Sequence, residues 1–311
     1  MALDRATREF LDKVAAATTK PRHLMTPTEA RAAFGNLRQL LASNAGVADA
    51  KDLSIPVQDA AIRCRLFVPH GPSQALLVYF HGGGWVVGGI EEFDPLCRDI
   101  AAGAGIAVAL VEYRKAPEHP FPGPLDDAWK ALNWLAARQE ELLGKTLPLL
   151  VGGDSAGGNL AAAVTLRARD AQAPAIAGQL LVYPVADCRF DRASYTDAEN
   201  QLMLNSETMR WYWSHYLADE SLRLSAFASP CRARDLRDLP PAIVITAEHD
   251  VLRDEGEEYA QRLQEAGVDV QLSRFAGQMH GFLMMRGILP GSDEGVTYTA
   301  DALRRLVARA A

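Results

Sequence analysis

Ser155 stands in a short pattern that is typical of a nucleophilic serine. The segment GDSAG at 153–157 follows the apolar run 147–151, which has the length of a buried strand, and precedes an alanine-rich stretch that predicts a helix. Glycines flank the serine because such a strand-to-helix turn leaves no room for side chains, and the turn lifts the hydroxyl clear of the sheet. It also aims the N–H of Ala156 and the positive end of the helix at charge forming beside the serine. We therefore predict Ser155 as a nucleophile and Ala156 as an oxyanion donor.

A glycine triplet upstream of the serine has the composition that an oxyanion loop requires. The segment HGGGW at 81–85 directly follows an apolar run that predicts a central strand. Successive glycines let the backbone pass close to a substrate and turn its N–H groups towards the nucleophile. We predict that Gly83 and Gly84 donate these N–H groups and that Trp85 contacts the substrate. His81 is interpreted as a structural residue that shapes the loop.

An aspartate and a histidine further along the chain can complete a triad. Asp250 and His280 follow the predicted strands 242–247 and 268–275, at the edge where open α/β sheets build their active sites. Their order after Ser155 is the order found in enzymes that carry a nucleophile elbow. A neutral histidine can accept the serine proton, and an aspartate can orient the imidazole and stabilise its charged form. We predict Ser155, Asp250 and His280 as the catalytic residues.

Strands and helices alternate over most of the chain, as a mostly parallel sheet requires. Alternating hydrophobicity over 53–68 predicts two half-buried edge strands, and continuous apolar runs predict central strands. The central strands are expected at 75–80, 106–111, 147–151, 178–183, 242–247 and 268–275, and helices at 94–102, 125–142, 156–169, 251–266 and 296–310. This rhythm predicts an α/β fold with an eight-stranded, mostly parallel sheet flanked by helices.

The rhythm of strands and helices stops between 187 and 227, where aromatic residues and methionines concentrate. An apolar insertion at the carboxyl ends of parallel strands is a candidate lid over a pocket. The apolar stripes of the N-terminal segment need a partner, and this insertion is the nearest one. We predict the division 1–45 (N-terminal part of a helical cap), 46–186 (core), 187–227 (cap insertion) and 228–311 (core). The predicted substrate contacts, besides Trp85, are Met203, Leu204, Trp211 and Phe282.

The composition describes a globular chain and excludes several classes of protein. Its 311 residues, 49% of them hydrophobic, can bury a large core, so disorder is excluded. The net charge of −7 carries no long run of one sign, which argues against nucleic acid as a partner. No apolar run of about 18 residues and no signal-like N-terminus occurs, so we predict a cytoplasmic protein without stable membrane insertion. The four cysteines lack metal-binding spacing and are interpreted as buried, reduced thiols, and no metal is expected.

Five segments together resemble one known family. They are HGGGW at 81–85, YRKAPEHPFP at 113–122, GDSAGGN at 153–159, DVLRDEG at 250–256 and HGF at 280–282. In this order they are similar to the bacterial hormone-sensitive-lipase-like carboxylesterases of the α/β-hydrolase superfamily. Two positions depart from the family pattern: Val251 stands where proline is frequent, and Lys115 where leucine is common. Neither departure touches a predicted catalytic group.

The resemblance implies a serine carboxylesterase with an α/β-hydrolase fold and a cap. Such an enzyme hydrolyses short- to medium-chain acyl esters through an acyl-enzyme intermediate and uses no cofactor. In this chain Ser155 would be the nucleophile, His280 the base and Asp250 its orienter. An amidase or deacetylase with the same triad is the alternative. A non-catalytic ligand-binding protein is disfavoured because both the serine and the histidine remain. The expected partner is a small-molecule ester, and a homodimer is left open.

Overall fold

One eight-stranded sheet organises the chain. The structure is a computed structural model that describes residues 2–18, 20–41, 45–58 and 60–310. The strands are β1 (Asp49–Val57), β2 (Ala60–Val68), β3 (Leu76–Phe80), β4 (Ala107–Glu112), β5 (Leu149–Asp154), β6 (Gly178–Val182), β7 (Ala242–His249) and β8 (Val270–Met279). Their number agrees with the prediction from the hydrophobic pattern.

The sheet is mostly parallel, as predicted. The direction in which successive strands are added to the sheet reverses at β3, which lies between β4 and β5. The strand order is β1-β2-β4-β3-β5-β6-β7-β8, and only the pairs β1–β2 and β2–β4 are antiparallel. The chain runs from β4 past β3 to β5, so β3 and β5 become neighbours although they are distant in sequence. The loops that follow these two strands are thereby brought side by side at the carboxyl edge, where open α/β sheets hold their ligands.

The central strands are apolar on both faces because helices cover both faces. Every residue of β3 and β5 is buried. Val78 packs into a core cluster with the helices on one face, while its neighbours Leu77 and Tyr79 pack into a second cluster on the other. This alternation follows from the two-residue period of a strand. Burial on both sides makes the sheet a fixed frame for the loops at its edge.

Ten α-helices are present in the described residues. They are α1 (Arg5–Ala17), α2 (Pro27–Gly35), α3 (Ile90–Ala104), α4 (Gly123–Ala136), α5 (Gln139–Leu143), α6 (Ala156–Ala171), α7 (Ala193–Thr196), α8 (Ser206–Tyr216), α9 (Arg253–Glu265) and α10 (Pro290–Ala310). Helices α3 and α10 contribute to the core cluster on one face of the sheet, and α4, α6 and α9 to that on the other.

Two segments outside the α/β rhythm pack onto the loop that follows β3. The ring of Tyr216, at the end of α8, stacks on Trp85 with a centroid distance of 3.9 Å and an interplanar angle of 7°. From α2, the Arg31 guanidinium donates to the carbonyls of Val86 at 2.9 Å and Ala116 at 2.8 Å. The HGGGW loop is therefore held by both the N-terminal segment and the 187–227 insertion.

Three predicted helices differ from those in the structure. The predicted helix 94–102 is longer and runs from Ile90 to Ala104. The predicted helix 125–142 is divided into α4 and α5, because Ala137 and Arg138 leave the helix and Gln139 turns inwards to accept the N–H of Leu147 at 2.8 Å. No glycine or proline marks this break in the sequence. The C-terminal helix begins at Pro290, six residues earlier than predicted, since proline suits the first helical position. The glycines in its first turns disfavour a helix, so the sequence pattern did not predict this earlier start.

The cysteines are free, but their burial is uneven. Burial raises the pKa of the Cys64, Cys97 and Cys231 thiols well above the ordinary value, which makes them unreactive. The prediction of four buried thiols was wrong for Cys188, which is only partly buried. It lies in the irregular stretch at the start of the insertion, where the chain has left the sheet.

Candidate active site

Ser155 lies on the sharp turn between β5 and α6. Its backbone has φ 55° and ψ −119°, an unfavourable conformation for a residue with a side chain. Two hydrogen bonds hold the turn: the Ser155 N–H donates to the Val182 carbonyl at 2.8 Å, and the Val185 N–H donates to the Ser155 carbonyl at 3.1 Å. A Cβ at Gly153 or Gly157 would collide with neighbouring backbone. The structure therefore agrees with the prediction that the turn leaves no room for side chains at these two positions.

His280 connects Ser155 to Asp250. Its Nε2 lies 3.1 Å from Ser155 Oγ, and its Nδ1 lies 2.7 Å from Asp250 Oδ2. His280 directly follows β8 and Asp250 directly follows β7, because β8 runs to Met279 and β7 to His249, past their predicted ends at 275 and 247. The Asp250 carboxylate is buried and also accepts the Leu252 N–H at 2.9 Å, which fixes its direction. The structure thus brings together the three predicted catalytic side chains in one line of hydrogen bonds.

The HGGGW loop presents unused backbone donors beside Ser155. Gly83 and Gly84 line the same cavity as the serine and have positive φ values of 112° and 58°. In the described part of the chain, no acceptor takes the N–H of Gly83, Gly84 or Ala156. Ala156 begins α6, so its N–H has no partner within the helix. Buried N–H groups are almost always paired, so free ones at this position can receive an oxyanion.

Asp154 is a site residue that the sequence reasoning missed. Its Oδ1 accepts hydrogen bonds from the Tyr79 hydroxyl at 3.0 Å and from the Gly82 N–H at 2.9 Å. Burial raises the pKa of this carboxyl to about 7, partly offset by the hydrogen bond from Tyr79. Asp154 therefore ties the oxyanion loop to the nucleophile elbow. The sequence did contain a signal for this role, because an acidic residue in a glycine-rich turn at the end of an apolar strand needs hydrogen-bond donors nearby.

Asn159 was missed as well. This buried side chain on α6 donates from Nδ2 to the carbonyls of Val185 at 2.9 Å and Ala228 at 2.8 Å. The two carbonyls lie just before and just after the 187–227 insertion. Asn159 therefore holds both ends of the insertion against the helix that begins at the nucleophile.

His81 has a structural environment, which agrees with its interpretation. Burial lowers its pKa to about 3, so the ring is neutral. The ring stacks on Tyr113 with a centroid distance of 4.4 Å, and Nδ1 lies 2.7 Å from the Gly82 carbonyl oxygen. Its contacts shape the backbone of the loop.

A small cavity of about 90 Å³ opens above Ser155. Its wall includes Phe34 and Leu37 from the N-terminal segment and Met203 and Leu204 from the insertion. The cavity is thus enclosed by both predicted parts of the cap. The remaining lining residues are Arg22, Gly83, Gly84, Phe93, Asp154, Thr208, Tyr212, His280, Gly281, Met284 and Met285.

Three predicted substrate contacts lie elsewhere. Trp85 is fully buried between Tyr216 and Trp213, behind the oxyanion loop. Phe282 is fully buried too, because the chain turns at Gly281 and carries the ring into the core beneath the site. Trp211 lies on the outer side of α8 and is absent from the cavity wall. For these three residues the prediction of direct substrate contact is corrected: they support the site without facing it.

The described residues contain no group of three or more histidine, cysteine or acidic side chains arranged to hold a metal ion. In the same part of the chain no helix combines the length and apolarity needed to span a membrane.

Comparison with known proteins agrees with this geometry. A family model described as an α/β-hydrolase fold matches residues 77–284. The ethyl acetate hydrolase of Pseudomonas putida is 35% identical over 294 residues, covering 92% of each chain. The carboxylesterase NlhH of Mycobacterium tuberculosis is 39% identical over 234 residues, covering 74% of this chain and 73% of the relative. The crystal structure of the hyperthermophilic esterase from the archaeon Pyrobaculum calidifontis superimposes with a TM-score of 0.94 at 35% identity, covering 100% of both chains.

These matches place the protein in its class. The chain belongs to the α/β-hydrolase family, among the hormone-sensitive-lipase-like carboxylesterases, as its motifs predicted.

Proposed function

We propose that this chain is a serine carboxylesterase in which Ser155 attacks the ester carbonyl carbon. A free serine hydroxyl is a weak nucleophile, so His280 accepts its proton as the bond forms. Asp250 keeps the imidazole in the required tautomer and stabilises the imidazolium. The observation that carries the proposal is the line Ser155–His280–Asp250, with distances of 3.1 and 2.7 Å, beside free backbone N–H groups.

The oxyanion of the tetrahedral intermediate is bound by the N–H groups of Gly83, Gly84 and Ala156. Each donor contributes on the order of 3 kcal/mol to the stability of the transition state. His280 then gives its proton to the departing alcohol, and an acyl group remains on Ser155. In the second half, His280 takes a proton from a water molecule as its oxygen attacks the acyl carbon. The bond between that carbon and Ser155 Oγ then breaks, His280 returns the proton to Oγ, and the acid leaves.

The size of the cavity supports a preference for short to medium acyl chains. Its volume of about 90 Å³ is well below the roughly 300 Å³ at which ligand pockets usually begin. Each added methylene gains only about 0.8 kcal/mol, and only until the pocket is full. Methionines in the wall can adjust to somewhat longer chains because their side chains are flexible.

The predicted division into core and cap is part of the proposal. Segments 1–45 and 187–227 would form one cap over a core made of 46–186 and 228–311. Contributions from both segments to the cavity wall support this division. Residues 1, 19, 42–44, 59 and 311 lie outside the described part of the chain. A cytoplasmic location and a homodimer stay predictions.

Covalent labelling of Ser155 tests the proposed function. A phosphonate ester should form one adduct, mapped by mass spectrometry to Ser155, and abolish hydrolysis of p-nitrophenyl acetate. Ser155→Ala should fold normally and lose several orders of magnitude in kcat, because triad residues act as a unit. An adduct on another serine, or full activity of the variant, would contradict the assignment. A p-nitroanilide assayed in parallel separates esterase from amidase.

A further inference from the structure

The cavity above Ser155 contains a basic side chain that hydrolysis of a neutral ester does not require. Arg22 belongs to a short 3-10 turn, Arg22–Leu24, between α1 and α2, and it lines the same cavity as Ser155 and His280. Most other lining residues are apolar or glycine. Arg22 is partly exposed, so water hydrates part of its guanidinium, and the part that faces the apolar wall is unfavourable there unless an acceptor or an anion faces it.

The contacts of Arg22 within the protein are few. Its Nη1 donates to the Ala30 carbonyl at 3.2 Å, and its Cζ lies 5.8 Å from the centre of the Phe34 ring. The Tyr212 side chain, which lines the same cavity, is a polar neighbour of Arg22. In the residues that the structure describes, no carboxylate forms an ion pair with Arg22.

Basic neighbours of Arg22 have acidic partners. Lys20 pairs with Glu29 at 2.8 Å, and Arg31 pairs with Glu118 at 2.5 Å. Arg22 lies between these two residues in the sequence, but it faces the cavity and not an acidic partner. A guanidinium carries five N–H donors in a planar fork, and one of those of Arg22 binds the Ala30 carbonyl, so other donors are left for an acceptor in the cavity.

Asp154 does not supply the missing anion. It is the one carboxyl group in the cavity wall, and its Oδ1 is engaged by Tyr79 and Gly82. No ion pair joins it to Arg22 within the described chain. The charge of Arg22 is therefore available to a ligand in the cavity.

We propose that Arg22 binds a carboxylate on the substrate, so that the preferred esters are short half-esters of dicarboxylic acids. The inference rests on the proposed ester hydrolysis at Ser155 and names its substrate class. A carboxylate fits the guanidinium fork with two parallel hydrogen bonds, which gives orientation as well as attraction. The apolar wall would enclose the short carbon chain between the carboxylate and the ester. The limited volume restricts that chain to a few carbons.

Paired substrates with and without a carboxylate test the proposal. Monoethyl succinate and ethyl butyrate differ mainly in the terminal carboxylate, and hydrolysis of both can be followed in a pH-stat. In Arg22→Gln, kcat/KM for monoethyl succinate should fall about tenfold to a hundredfold through KM, the size expected for lost hydrogen bonds to a charged group. The value for ethyl butyrate should fall by a much smaller factor, so that the ratio of the two kcat/KM values changes by about tenfold or more. Arg22→Lys should keep part of the preference because the charge remains.

Arg8→Gln is the matched control. Arg8 is exposed on α1 and does not line the cavity, so this variant should treat both esters as the wild type does. Equal losses for both esters in Arg22→Gln would mean that Arg22 only shapes the wall, and unchanged kinetics would mean that it contacts no substrate carboxylate. Either result overturns the proposal.

Binding without turnover separates this inference from the proposed function. Monoethyl succinate should bind Ser155→Ala in calorimetry, and the added change Arg22→Gln should weaken that binding about tenfold. If the wild type hydrolyses no ester, the proposed function fails while this measurement still decides the role of Arg22. Equal binding by the two proteins would overturn the carboxylate assignment.

Discussion

Single residues in this site act mainly by holding backbone groups in place. Asp154 accepts hydrogen bonds from Tyr79 and Gly82, which precede it by 75 and 72 residues in the sequence. Tyr79 belongs to β3, and Gly82 belongs to the loop that carries the oxyanion donors. A Cβ on Gly82 would collide with the Asp154 carboxylate, so loop and side chain fit closely. The position of the N–H groups of Gly83 and Gly84 therefore depends on the Asp154 side chain.

Two replacements of Asp154 distinguish the contribution of its hydrogen-bond acceptor from that of its negative charge. Asp154→Asn keeps a carbonyl oxygen for Tyr79 and Gly82, so kcat for p-nitrophenyl acetate should stay within about tenfold of the wild type. Asp154→Ala leaves the loop without its anchor, and kcat should fall by about a hundredfold, the loss typical of an oxyanion donor. Steady-state kinetics and a circular dichroism spectrum of each variant check this. Equal activity of the Asn and Ala variants would show that the 81–85 loop keeps its conformation without the Asp154 side chain.

At the scale of elements, the insertion and the N-terminal helices determine the shape of the cavity. Met203 and Leu204 precede α8 and line the cavity. Trp211 on α8 makes edge-to-face ring contacts with Tyr212 and His215 and does not line the cavity. Residues of one insertion thus have different roles according to the side of the cap they occupy.

Met203→Ala should shift the preferred acyl chain to longer esters, because removing the side chain enlarges the cavity beside Ser155. Each additional methylene then gains about 0.8 kcal/mol, or close to fourfold in kcat/KM. A series of p-nitrophenyl esters from acetate to decanoate measures the shift. Trp211→Ala is the matched control from the same insertion and should leave the profile unchanged. If the two variants shift it equally, the cavity wall does not set chain length.

For the molecule as a whole, the junction between core and insertion contains a buried acid. Glu255, in the first turn of α9, accepts the N–H groups of Ala186 at 2.8 Å and Asp187 at 3.3 Å through Oε1. Burial raises the pKa of this carboxyl to about 8, while Arg192 opposes the rise and Asp187 adds to it. Its Oε2 has no partner among the described residues, which suits a protonated carboxyl.

Stability should therefore depend on pH through Glu255. The folded pKa lies above the ordinary value of 4.5, so the contribution of Glu255 is complete below about pH 4.5 and is lost as pH rises through about 8. Glu255→Gln keeps the acceptor and cannot ionise. Urea unfolding between about pH 5 and 9 should show the free energy of unfolding of the wild type decreasing relative to that of the variant. A constant difference across this range would exclude the ionisation of Glu255 as the cause.

The sequence by itself determined the frame and the candidate triad. Each of Ser155, Asp250 and His280 lies a few residues past the end of a predicted strand, and strand periodicity is a local property that hydrophobicity records. The parallel strands are buried on both faces, so their apolar runs stood out without knowledge of their neighbours. The eight strands and the mostly parallel sheet followed from the same pattern.

Only the tertiary structure decided which side chains face the substrate. Trp85 and Phe282 have the residue types of a pocket wall, yet packing turns both into the core, while Arg22 from a short N-terminal turn reaches the cavity. Asp154 meets Tyr79 and Gly82 because β3 and β5 become neighbours in the sheet. These relations depend on contacts between residues far apart in the chain, and local composition and spacing do not encode the direction in which a side chain points once the elements have packed.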